Sequence, residues 1–189
     1  MKKSYEMDMC NGPLFPKIVA FAVPLILSGI LQLLFNAADI IVVGHFAGRE
    51  SLAAVGSTTA LINLMINVFV GLSIGANVLV AQYSGAQKWK DLEETVHTAM
   101  MIALAGGILL IFVGVFFSGP MLSLMGTPDD VLPLAALYLK IYFVGMPATL
   151  TYNFGAAILR AVGDTRRPLY FLLFAGAVNV VLNLVFVIG

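Results

Sequence analysis

The 189-residue sequence predicts an all-α polytopic membrane protein with about five transmembrane helices, and three observations predict it. First, 60% of the residues are apolar and only 11% are charged, against about 25% charged in ordinary soluble domains. The mean hydropathy is +0.99. A soluble chain this apolar lacks the polar groups to cover its own surface, so lipid must solvate much of it. Second, five apolar runs reach the roughly 20 residues needed to cross the hydrocarbon as a helix. They span about 18–43, 52–83, 96–117, 131–159 and 169–189. Third, glycine and proline turns punctuate the boundaries.

The runs are continuous, whereas barrel strands alternate in segments of about 10 residues. The first follows a short N-terminal segment, 1–17, that does not read as a cleavable leader. Lys2 and Lys3 are followed by Glu6, Asp8, Pro13 and Pro16, and the apolar run beyond them is too long for a signal h-region. The second and fourth runs exceed one bilayer thickness and are expected to tilt or project. Loops are expected at 44–51, 84–91, around Gly119-Pro120 and Gly126–Asp130, and at 163–168.

Orientation follows from the basic residues. Lys2, Lys3, Lys17, Lys88, Lys90, Arg160, Arg166 and Arg167 fall on one side, against Arg49 on the other. Lys140 lies in the fourth run and is expected to snorkel outward. The expected arrangement is a multi-pass chain in a bacterial inner or plasma membrane with a cytoplasmic N-terminus. The apolar ending at Phe186–Gly189 is expected to belong to an N-terminal fragment of a longer protein.

Balanced charge, 10 basic against 10 acidic residues, gives no reason to expect nucleic acid as a partner. Cys10 is the only cysteine, so no intramolecular disulfide can form. His45 and His97 lack partners at metal-ligand spacing, and no HExxH, GxSxG or P-loop pattern occurs. Neither an enzyme nor a bound cofactor is expected, and nothing in this chain would drive transport by ATP.

The polar residues within the runs carry the functional reading. Asp39 is foremost, since an acidic group at the centre of a membrane helix costs about 2.5–3.5 kcal/mol on insertion scales. On an ideal helix Ser28, Gln32, Asn36 and Asp39 fall within about 80° of one another. Such a stripe predicts a face turned to a bundle interior or an aqueous cavity. Asn63 and Asn67 repeat the i, i+4 spacing on the second run, Thr149 and Asn153 on the fourth, and Asn179 and Asn183 on the fifth. Four polar faces predict one shared hydrophilic cavity, although each pair alone fits interhelical hydrogen bonding equally well. Pro24 and Pro147, inside helical runs, are candidate kinks or hinges. Gly71 and Gly75 form a GxxxG pair, expected to mark a close helix contact.

Several segments resemble the multidrug and toxic compound extrusion (MATE) family. Ala37-Ala38-Asp39-Ile40-Ile41-Val42-Val43-Gly44-His45 with Leu52-Ala53-Ala54-Val55-Gly56 resembles its first-helix region. Gly71-Leu72-Ser73-Ile74-Gly75-Ala76-Asn77 and Ala81-Gln82-Tyr83-Ser84-Gly85-Ala86 resemble its second helix and the loop after it. Tyr138-Leu139 and Arg160-Ala161-Val162-Gly163-Asp164-Thr165-Arg166-Arg167-Pro168 resemble its fourth helix and the turn to the fifth, and Asn179-Val180-Val181-Leu182-Asn183 the fifth. The resemblance implies an incomplete N-terminal six-helix bundle of a twelve-helix transporter, with the sixth helix and the C-terminal bundle absent. It implies antiport of amphiphilic, often cationic compounds against Na⁺ or H⁺. Asp39 would be the coupling carboxylate, with Na⁺ as a possible occupant. Gln32, Asn36, Asn63, Asn67, Asn153, Asn179 and Asn183 would line the cavity. Asn183 departs from the pattern, in which many members carry Asp, because an amide cannot titrate. The partners implied are small-molecule substrates, membrane lipid and the C-terminal half of the transporter. The rival readings are a lipid-linked-precursor flippase or polysaccharide exporter of the related superfold, which would want a more cationic cavity, and a non-transporting structural fragment.

Overall fold

The computed structural model describes Met7 and residues 12–46 and 48–188. Lys2, Lys3 and Cys10, and Gly189 at the end of the fifth expected run, lie outside the described residues. Among the described residues every regular element is a helix. These are α1 (Leu14–Phe46), α2 (Gly48–Gly85), α3 (Trp89–Leu124), α4 (Leu132–Val144), α5 (Met146–Ala161) and α6 (Arg166–Asn183), with a π-helical turn at Leu184–Ile188.

Four stretches, α1, α2, α3 and Arg166–Phe186, are each long and apolar enough to cross a membrane. The fifth crossing is the α4–α5 pair, bent by 49° at its break. The fourth run therefore bends where tilt or projection was expected. Gly145 closes α4, its N–H donating to the Tyr142 carbonyl at 3.0 Å, and Pro147 stands in the first turn of α5. Proline has no N–H to give and is tolerated at a helix start. Pro147 thus begins a new helix and does not distort a continuous one. Pro24, by contrast, lies inside the unbroken α1 and is its one buried residue. The Ser28 hydroxyl donates to the Pro24 carbonyl at 2.8 Å. This back-bonding spends the proton of one member of the predicted polar stripe on its own helix.

Two expected loops are absorbed by helix. The turn predicted over 44–51 shrinks until α2 begins two residues after α1 ends. Gly119 and Pro120 lie within α3, which runs to Leu124. At about 1.5 Å per residue, the 38 residues of α2 and 36 of α3 exceed the ~30 Å hydrocarbon thickness. Their ends reach into the headgroups or beyond.

Packing divides the helices into two groups. α2, α3, α4 and α5 pack on one another, while α6 lies along α1 and barely touches α5. In lipid there is no hydrophobic drive between helices, so close backbone approach and van der Waals fit do the work. The close approaches are at Gly106, where a Cβ would overlap the Phe69 ring, Gly107 against Pro147, Gly114 against Phe143, and Gly176 against Phe35. Gly71 and Gly75 were expected to make such a contact and do not: a Cβ at either would meet nothing within 4 Å. The core behind these glycines holds Leu110, Leu122, Leu139, Phe143, Met146, Leu150 and Phe154, all buried.

The turn between α5 and α6 is built residue by residue. Gly163 adopts φ +87°, and its open α-carbon lies against the backbone of Met7. Asp164 is fully buried; its Oδ1 accepts from the N–H groups of Arg166 (3.2 Å) and Arg167 (3.1 Å). Its Oδ2 faces the Arg167 Nε at 3.1 Å. The carboxylate thereby caps the positive end of α6 and holds a charged partner. Met7 and this turn meet at the same end of the bundle.

Candidate functional site

Asp39 lies on the last third of α1 and is half-buried. The Asn183 amide, at the end of α6, donates to its carboxylate. Asn179, one turn earlier, lies beside this pair. The Asn183 amide also reaches the Asn179 Oδ1 at 3.4 Å. Gly176, another turn back, is the close-packing point on Phe35 of α1. Packing and polar pairing thus share one stripe of α6, spaced 176, 179 and 183. A charged acceptor strengthens such a hydrogen bond, where neutral interhelical bonds in membranes average about 0.6 kcal/mol.

On α4, Tyr138 is half-buried and packs against the buried core. Tyr142, one turn along, has its ring centroid 6.2 Å from that of Tyr138. Neither tyrosine stands out among candidate residues in the sequence. Their i, i+4 spacing toward the bundle interior was the available signal, but an aromatic in a membrane span reads first as packing or an interface anchor. The cluster offers a carboxylate and two amides. These are oxygen donors suited to a hard cation, provided an amide turns its oxygen inward.

The remaining predicted residues are placed differently. Gln32, Asn36, Asn63 and Asn67 are exposed and Asn153 is half-buried. Asn77, not among the candidates, donates from its amide to the Ala157 carbonyl at 2.5 Å and ties α2 to α5. Two interhelical grooves are defined. One, of about 600 Å³, lies among α3, α5 and α6 around Met100, Pro147, Tyr152 and Phe171. The other, of about 490 Å³, lies between α2 and α3 with Phe154 of α5 at its side. None of the eight predicted polar residues lines either groove.

A bundle of long apolar helices, one span bent and a carboxylate held between α1 and α6, defines a polytopic helical membrane protein. The MatE family model matches residues 24–185, and the chain belongs to that family. Among curated proteins it is 33% identical over 169 residues to the probable multidrug resistance protein YoeA of Bacillus subtilis (strain 168), covering 89% of this chain and 36% of YoeA. It is 29% identical over 180 residues to the probable multidrug resistance protein YpnP of the same organism, covering 95% of this chain and 40% of YpnP. Among solved structures it resembles a MATE protein in straight and bent conformations, with TM-scores of 0.83 and 0.82. Both are 26% identical and cover 90% of this chain and 38% of theirs. The chain therefore spans well under half the length of these relatives.

Proposed function

We propose that this chain forms the N-terminal bundle of a cation-coupled exporter of amphiphilic, often cationic compounds, with Asp39 as the coupling carboxylate. The observation that carries the reading is the meeting of Asp39 with Asn183, and through Asn183 with Asn179, across the α1–α6 interface. MatE membership and relatives named for multidrug resistance support the efflux class.

The chemistry runs through one site with two kinds of occupant. A proton or Na⁺ neutralises Asp39. With Na⁺, rotation of the Asn183 amide exchanges its N–H donor for its carbonyl oxygen, which then becomes a ligand. An ionised Asp39 holds the Asn183 N–H and attracts a cationic substrate in the bundle. Each occupant favours one arrangement of α1 against α6, a population shift driven by differential affinity. Pro24, inside α1, supplies the place where that helix flexes, and relatives of this fold occur in straight and bent forms. Gln32, Asn36, Asn63, Asn67 and Asn153 line the path beside it. The bundle sits with its N-terminus in the cytoplasm of a bacterial cell, where the basic end carries Lys88, Lys90, Arg160, Arg166 and Arg167.

The test is Asp39→Asn in the full-length protein. The variant reaches the membrane in normal amount and loses drug efflux. Wild-type resistance in cells carrying it contradicts the assignment.

A further inference from the structure

The groove between α2 and α3 is set apart from the Asp39 cluster and is amphipathic along its length. Its apolar part is floored by Gly71 and Gly75, whose missing side chains leave open space, and walled by Leu72, Leu79 and Ile102, each exposed, with buried Phe154 behind. From Gly71 to Tyr83 the α2 wall rises about 18 Å at ~1.5 Å per residue. That is close to half of the ~30 Å hydrocarbon thickness, so the groove covers one leaflet.

Its mouth lies at the start of α3 and presents acceptors. Asp91 and Glu94 line it, and among the described residues neither forms an ion pair; Glu93, outside the groove, is the one that pairs with His97, at 3.9 Å. Thr95 and Thr98 also line it, but their hydroxyls donate to the carbonyls of Asp91 (2.7 Å) and Glu94 (2.8 Å). A hydroxyl has one proton. Both threonines have spent theirs, so they show the groove only lone pairs. Lys88 and Lys90 stand exposed beside this mouth, flanking the exposed Trp89, an indole suited to the headgroup level.

A ligand that matches all three zones has an apolar chain, an N–H-rich cation and an anion next to it. We propose that the groove holds one phospholipid with a zwitterionic headgroup bearing a primary ammonium. The ammonium donates to Asp91 and Glu94, the phosphate meets Lys88 and Lys90, and one acyl chain lies over Gly71 and Gly75. The inference is independent of the efflux reading, because it needs neither Asp39 nor transport.

The test uses the full-length protein equilibrated in mixed micelles with equal amounts of phosphatidylethanolamine, its N-methyl and N,N-dimethyl derivatives and phosphatidylcholine, all with the same acyl chains. Native mass spectrometry then counts the lipids retained. Each methyl removes an N–H donor while the phosphate and tails stay constant. Retention falls stepwise, with phosphatidylethanolamine enriched about tenfold over phosphatidylcholine, the scale of a charge-assisted hydrogen bond. Equal retention of the four lipids overturns the proposal, and this arm needs no mutant. In the second arm, the double variant Asp91→Asn, Glu94→Gln loses the preference and retains the four lipids equally; an unchanged preference overturns the proposed contact. In a third, Gly75→Cys is labelled by a membrane-dissolved thiol reagent. Protection of that cysteine by another segment of the full-length protein means protein covers the groove, and it too overturns the proposal.

Discussion

Asp39 places a carboxylate in a membrane helix at a cost of about 2.5–3.5 kcal/mol at mid-depth, and the Asn183 amide answers it from α6. Replacing Asn183 by Leu keeps the branched shape and removes the donor. Export by the full-length protein then falls at least about tenfold while its amount in the membrane holds, the scale of a lost hydrogen bond to a charged group. Unchanged export gives Asn183 no part in coupling. Asp164 is a second residue-scale test. Asp164→Ala removes the cap from two N–H groups and leaves Arg167 without its buried partner. The expected cost is about 0.5–2 kcal/mol for the cap alone, read as a lowered unfolding temperature in detergent. Asp39 stood out in the sequence because an ionisable group among Ile, Val and Ala is conspicuous on any hydropathy count. Its α6 neighbours were legible as an i, i+4 pair.

At the scale of elements, the five apolar runs mark the five crossings because lipid demands long apolar helices and satisfied backbones. Their ends were less legible. Helices here continue through Gly44, Gly56 and Gly119-Pro120, since neighbouring helices and headgroup water compensate for residues that would stop a helix in a soluble domain. Which glycines make contacts was not legible either. In a membrane helix every face is apolar, so periodicity cannot separate a lipid-facing glycine such as Gly75 from a packed one such as Gly176. Gly176→Ala therefore drives a methyl into the Phe35 ring, with an overpacking cost of about 1–3 kcal/mol. Adding Phe35→Ala relieves the overlap, so the double variant costs less than the sum of the two single changes. Simple additivity in thermal unfolding contradicts a packed α1–α6 interface at that point. The bend between α4 and α5 was anticipated at Pro147 only as a kink; Gly145 closes one helix and Pro147 opens the next.

The whole molecule is two packed groups of helices, α2–α5 and α1 with α6, joined by the near-continuous α1–α2 corner and the Gly163–Pro168 turn. The Asp39 site lies within the α1–α6 group, on the interface of its two helices. The proposed orientation rests on the positive-inside count. In whole cells carrying the full-length protein, Gln87→Cys resists an impermeant thiol reagent and Asp129→Cys reacts with it; the reverse pattern inverts the proposed topology. The central claim is that Asp39 couples a cation gradient to export. It is tested most directly with the full-length protein in vesicles, by imposing an inward Na⁺ or H⁺ gradient and following efflux of a cationic dye. Wild-type protein moves the dye under at least one of the two gradients, and Asp39→Asn moves it under neither. Gradient-driven dye movement of wild-type rate in the variant contradicts the account.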